Sequence, residues 1–201
     1  LALGMYELAP LWHTIFRRLG FRVILTGQST KEIYAKGHFS IPSDTACYPA
    51  KLMHGHVQTL LDMGVDAIFY PCLTYNMDEK CGVNHYNCPV VAYYSELLAG
   101  NTEELSKIKF LYPYLNINDE KQLAIELYEY LSKYFDGIKK SEVKAAVAAG
   151  TAAYREWMRD IYKAGSAALE SARERGVPVM VLAGRPYHTD SEIGHGIDRL
   201  A

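Results

Sequence analysis

No stretch of this sequence approaches the roughly 18 apolar residues that a membrane-spanning helix requires, although 49% of its 201 residues are hydrophobic. Charge of one sign is lacking too. Lys and Arg number 21 against 23 Asp and Glu, a formal net charge of −2, so electrostatics give no case for nucleic acid or an anionic membrane as partner. No signal peptide is visible. There is no G-x-G-x-x-G and no G-x4-G-K-[ST], so the usual nucleotide-binding loops are missing. Cysteine is scarce, with four residues in all, too few for a secreted disulfide scaffold. These absences leave a globular chain, long enough for one large or two small domains, expected in a reducing cytoplasm.

The few cysteines are concentrated. All four fall between positions 47 and 88, and each stands within two residues of Pro, Gly or Asn. Cys47 lies in Thr45-Ala46-Cys47-Tyr48-Pro49, Cys72 in Tyr70-Pro71-Cys72, Cys81 in Lys80-Cys81-Gly82 and Cys88 in Asn87-Cys88-Pro89. A reduced core cysteine normally sits inside an apolar run, whereas these neighbours mark loops and element ends. Thiols gathered on loops are placed to hold a soft metal, as an iron–sulfur cluster or zinc. Their spacings of 25, 9 and 7 residues match neither paired C-x2-C zinc knuckles nor the compact ferredoxin run. Structural thiols with no ligand are therefore a standing alternative.

Hydrophobic periodicity organises the rest. Residues 5 to 19 read as a helix stopped by Gly20, and 21 to 25 as a strand. Ser29 with Glu32 has capping-box spacing and opens a short helix to about Lys36. Pro49 suits the first turn of a helix running to Gly64, with Met53, Val57, Leu60 and Leu61 on one face. Residues 67 to 70 and 89 to 93 read as further strands. This alternation predicts an α/β fold with a Rossmann-like three-layer parallel sheet over residues 1–100. Residues 101–176 carry little strand signal and fit a helical segment, with helices over 118–135 and 141–175. Residues 177–183 read as a buried strand, followed by the loop Gly184-Arg185-Pro186-Tyr187-His188 and a second capping box at Thr189 and Glu192. We expect 177–201 to start a second α/β unit, cut short. The first residue is not Met and the last lies in a first helical turn, so an internal piece of a longer protein is expected.

In an open parallel sheet, ligands bind beyond the carboxyl ends of the strands. Cys72 immediately follows the strand ending at Tyr70, and Cys88 closes a loop that can fold back over the same edge. Cys47 precedes a helix N-terminus, where the dipole favours thiolate over thiol. Cys81 sits in a polar loop and reads as the spectator. His54 and His56, two apart on a helix, face different ways and read as solvated or core-edge residues. His85 is the histidine nearest the cysteine loops. Asp44 and Lys51 read as capping and surface charge, and Arg185 as a turn cation able to meet an anion.

Taken together, Pro42 to His56, Ile68 to Cys72, Asn87 to Val91 and Leu182 to His188 resemble the activase-related proteins of the 2-hydroxyacyl-CoA dehydratases. Tyr6 to Trp12 and Leu19-Gly20-Phe21 add to the resemblance. It implies a cysteine-rich region joined, in long chains, to actin-like ATPase modules. In the related dehydratases a 4Fe-4S cluster lies between Rossmann-like domains, and an ATP-driven activase injects one low-potential electron into it. Carried onto this chain, Cys47, Cys72 and Cys88 fall in matching motifs, while Cys81 does not. In those dehydratases one ligand comes from a later domain, so three early candidates here are a departure. The implied function is an iron–sulfur (4Fe-4S or larger) domain of an ATP-coupled reductase or dehydratase-like enzyme. It takes electrons from an activase module and passes them to a small substrate, an acyl-CoA by analogy. ATP binds only on other modules, and the long helices allow a homodimer. The alternatives are a zinc-binding or metal-free scaffold, and a thiol enzyme using Cys47.

Overall fold

A computed structural model describes residues 1–200. The chain is mixed α/β and mostly helical, with one small parallel sheet. Helices α1 (Gly4–Glu7) and α2 (Ala9–Arg18) replace the single helix expected over 5–19. The break falls at Leu8, just ahead of Pro10 in the first turn of α2, where proline is tolerated because its missing N–H has no partner there. Next come α3 (Lys31–Gly37), α4 (Tyr48–Asp62), β1 (Ala67–Phe69), α5 (Pro89–Asn101), β2 (Lys109–Leu111), α6 (Glu120–Leu131), α7 (Lys140–Glu174) and α8 (Ile197–Leu200).

Four expectations are corrected. Residues 89–93 are not a strand but the start of α5. Pro89 stands in its first turn and the Cys88 sulfur accepts from Val91 N–H at 3.4 Å, so a proline-led cap overrides the β-branched Val90-Val91 pair. The segment 101–176 does contain two long helices, but also β2, which pairs with β1 in the register Ala67↔Lys109 to Phe69↔Leu111. The α3 cap is Thr30, whose Oγ1 accepts from Ile33 N–H at 3.2 Å, one residue later than the expected Ser29. Residues 21–25 and 177–183 are extended but belong to no sheet, so the described residues form a two-stranded sheet and not a full Rossmann sheet.

Two apolar clusters sandwich that sheet. Side chains alternate across a strand, and here the alternation sorts them cleanly. Ala67, Phe69 and Leu111 join the cluster built by α2, α6 and α7 around Leu11, Ile15, Leu127 and Val147. Ile68, Tyr70 and Phe110 join the cluster built by α4 and α5 around Leu52, Val57, Tyr94 and Leu98. Helices α3 and α4 meet backbone to backbone. A Cβ on Gly55 would stand 1.8 Å from the Ile33 carbonyl oxygen, and one on Gly37 would stand 2.1 Å from Gly55 N. Only glycine permits that approach.

Candidate functional site

Cys72 follows the carboxyl end of β1, while Cys88 heads α5 and the exposed Cys47 heads α4. Beyond Phe69 the chain stays beside the β2 segment: Tyr70 N–H donates to Leu111 O at 2.8 Å and Cys72 N–H to Pro113 O at 2.8 Å. Cys72 is buried, and its Sγ lies 3.0 Å from Ser95 Oγ. Burial pushes the Cys72 thiol up, and the bond to Ser95 opposes that shift.

Residues 74–87 then form a hairpin. Asn76 N–H donates to His85 O and Asn87 N–H to Thr74 O, both at 2.9 Å, while Asn87 Nδ2 reaches Leu73 O at 2.9 Å. The hairpin therefore returns the chain to its start and sets Cys88 at the head of α5, as expected of a loop folding back. Cys88 is half-buried. Cys47 takes the same position on α4, as its N-cap, with Pro49 in the first turn.

One side chain ties these thiols together. Tyr70 is only 5% exposed, and its hydroxyl has no hydrogen-bond partner. Burial holds that hydroxyl well above the ordinary phenol range, and Cys72, Tyr94, Cys88 and Cys47 each push it further. The three thiols thus share the electrostatic neighbourhood of a single buried hydroxyl. Two other tyrosines border the same space. Burial raises Tyr94 to about 12, with Cys47 adding to it. Tyr187 is raised by burial and then by Cys88, with Cys47 a smaller contributor. Tyr187 comes from the Gly184–His188 motif, so that motif too reaches the cysteine edge.

The other candidates lie elsewhere. Cys81 sits at the exposed hairpin tip, its thiol donating to Glu79 O at 3.3 Å, and it does not act on Tyr70, Tyr94 or Tyr187. His85 packs against Tyr75 at 5.3 Å between ring centroids. Lys51 Nζ donates to the Asp44 carbonyl at 2.8 Å, a surface loop closure. Arg185 precedes a four-residue 3-10 turn, Pro186–Thr189, and its N–H donates to His188 Nδ1 at 3.0 Å, so the motif is a tight turn and no anion site is assembled there. Thr189 does not cap with Glu192; Asp190 Oδ1 instead accepts from Glu192 N–H at 3.0 Å.

His54 and His56 are a correction. They do face different ways, but both are buried. His54 lies 2.7 Å from Ser40 Oγ and 2.9 Å from Tyr94 Oη. His56 lies 3.0 Å from Ser29 Oγ. Hydroxyl partners supplied by distant loops satisfy the rings, and nothing in the spacing of two histidines signals such partners.

The residues missed altogether are Tyr70, Tyr94 and Tyr187. Sixteen tyrosines hid the three that matter. The available signal was the position of Tyr70 two residues before a loop cysteine at a strand end.

Among the described residues, no group of three or more His, Cys, Asp or Glu side chains is arranged to hold a metal ion. The thiols of Cys47, Cys72 and Cys88 come from three segments and are of the soft type that iron–sulfur clusters take, and the buried Tyr70 hydroxyl has an unused proton. No helix among the described residues is long and apolar enough to cross a membrane.

The arrangement is that of an α/β domain with one thiol just past a strand end and two at the heads of helices. Over residues 1–201 the chain matches the family described as the CoA enzyme activase uncharacterised domain. The chain belongs to that family, in agreement with the resemblance read from its motifs. No curated protein and no solved structure matches it.

Proposed function

We propose that this domain binds an iron–sulfur cluster through Cys47, Cys72 and Cys88 and serves as the electron-accepting part of an ATP-coupled reductase or dehydratase-like enzyme. The observation that supports this reading is the buried Tyr70 hydroxyl without a hydrogen-bond partner, on which Cys72, Cys88 and Cys47 all act electrostatically. A bound cluster would supply one-electron chemistry at low potential. The chain's own residues would do the rest. Cys47 and Cys88, each the residue before a helix with proline in its first turn, would supply two of the sulfur ligands. With a cluster bound, Tyr70 would have a free O–H to offer a ligand sulfur, and such a bond raises the potential of the group it touches. Tyr70, Tyr94 and Tyr187 are buried, as is Cys72, while Cys47 is exposed and Cys88 half-buried. Three protein ligands leave one position of a cubane for substrate, and a small acyl-CoA fits the family's description. The electron donor would be an activase module, in the same polypeptide or a separate one.

Anaerobic purification with iron, sulfide and zinc measured per chain tests this directly. About four iron and four sulfide per chain, with broad visible absorbance, is the expected outcome. Stoichiometric zinc, or no metal with free thiols, would overturn it.

A further inference from the structure

The sheet has a place for a strand that nothing fills. Between the extended residues 21–26 and the residues 65–70 that contain β1 lies a cavity of about 540 Å³. One wall of it is Phe21 to Thr26, the other Val65 to Tyr70; α2 and α4 close its two faces through residues such as Trp12 and Val57. Phe16 spans the floor, edge-on to both Phe69 at 4.7 Å and Phe21 at 5.6 Å. Phe21 and Val23 pack into the same cluster as Ala67 and Phe69. Residues 21–26 and β1 therefore face each other across one cavity and pack on the same apolar cluster.

Both walls carry unused backbone groups. Lys109 N–H donates to Asp66 O and Tyr70 N–H to Leu111 O. In a parallel register this leaves the even-numbered residues bonding to β2 and turns Ala67 and Phe69 toward the cavity. Among the described residues, no backbone hydrogen bond involves residues 22–26. Arg22, Ile24 and Leu25 are exposed and only Thr26 is buried, so residues 22–26 offer an open edge, and the gap has room for a chain that would pair with both sides.

We infer that Val177–Ala183 is that strand, inserted parallel between residues 21–26 and β1. Its sequence, Val-Pro-Val-Met-Val-Leu-Ala, is apolar on both faces, the pattern of a central parallel strand covered on two sides. Residues 21–25 include Arg22 and suit an edge. In this structure Met180 is 69% and Val181 79% exposed, a run of apolar surface with no backbone partner from 178 to 184. The chain just beyond this segment is already docked at the correct end. Asp190 Oδ2 accepts from Ser29 N–H at 3.0 Å, three residues beyond Thr26, and Tyr48 Oη donates to Glu192 at 2.7 Å at the head of α4. A strand feeding that anchor must run toward the carboxyl edge, parallel to its neighbours.

Handedness agrees. The β1-to-β2 connection runs through α5 on one face of the sheet. The return from β2 to the gap runs back across the sheet through α6 and α7 on the opposite face, and so has the same hand, as the rule for parallel crossovers demands. The strand belongs to this chain rather than to a second copy, because its anchor is already made within the chain. On this reading residues 177–183 complete the first sheet and do not open a second unit. The inference is independent of any bound cluster.

Hydrogen exchange of the full-length protein, read by mass spectrometry on peptides covering 21–26 and 177–184, tests it. We expect both to exchange at least about tenfold slower than unstructured chain, at any protein concentration. In Val181→Pro, which removes a strand N–H, peptide 21–26 should lose its protection while α2 and α7 keep theirs. If that variant does not fold, Val181→Gly is read in the same way. Fast exchange at 177–184 in the natural protein would overturn the inference. So would unchanged protection of 21–26 in the variant, or protection that appears only on dimerisation.

Discussion

Cys47 and Cys88 occupy one backbone position on two different helices. Each is an N-cap, with φ −63° and ψ 152° for Cys47 and φ −64° and ψ 153° for Cys88, and each is followed by proline in the first turn. Ser, Thr, Asp and Asn ordinarily hold that position. Of the two cysteines there, only Cys88 uses its sulfur as a cap, accepting from Val91 N–H at 3.4 Å, while the Cys47 sulfur makes no cap bond.

The metal content of single variants should track this geometry. Cys47→Ala, Cys72→Ala and Cys88→Ala should each lose most of the iron of the anaerobically purified protein, while Cys81→Ala keeps it. Equal losses in all four would place Cys81 in the site and sink the three-thiol reading.

Tyr70→Phe separates a structural role from a binding role. The hydroxyl is buried and unpartnered, so its removal should leave the metal-free protein as stable or raise its stability by about 1 kcal/mol. In the metal-loaded protein the same change should lower the reduction potential, because a donor to a ligand sulfur is lost. A clear loss of stability in the metal-free form would show that the hydroxyl has a protein partner.

Acid should destabilise the fold through His54. Burial lowers its imidazole from 6.5 to about 4. Above pH 6.5 the ring is neutral both folded and unfolded and contributes no pH dependence. Between about pH 6.5 and 4 the unfolded chain takes up a proton that the folded chain refuses, so stability falls as pH falls. From pH 7 to 5 this one group should cost about 2 kcal/mol, measurable as a drop in the urea midpoint. His56, lowered to about 3 chiefly by burial, adds in the same direction. His54→Gln should flatten part of the slope; an unchanged slope would mean that His54 is not the group titrating.

Gly55→Ala should be strongly destabilising. The new methyl would meet the Ile33 carbonyl oxygen at 1.8 Å, and separating α3 from α4 should cost about 1–3 kcal/mol or more. Gly165→Ala, with nothing within 4 Å of the new Cβ, serves as the control, expected neutral to slightly stabilising because it lies inside α7. A midpoint for Gly55→Ala equal to the control would disprove the close crossing.

Much of the helical framework was legible because it is local. The Pro49 start of α4 and the two long helices come from caps and 3.6-residue periodicity. Strands were harder. At Pro89 a local cap outweighed β-branched residues, and at Lys109-Phe110-Leu111 a three-residue strand exists only because β1 lies beside it, which no window of sequence contains. The site divided in the same way. The loop and helix-end positions of Cys47, Cys72, Cys81 and Cys88 were readable from their neighbours in sequence. The hydroxyl shared by three of them was not, because that depends on how β1, α4 and α5 come together.

The hairpin carrying Cys81 has a consequence for how the site is held. Lys80, at its tip, has φ 60° and an exposed side chain paired only with Asp78, so trypsin should cut there first, as proteases do at exposed loop tips. Yet the bonds Asn76–His85, Asn87–Thr74 and Asn87–Leu73 all lie on the closed side of that cut. A nicked protein should therefore keep Cys72 and Cys88 together as two associated fragments. Covalent continuity between the strand and the helix that bear them is dispensable once the chain has folded.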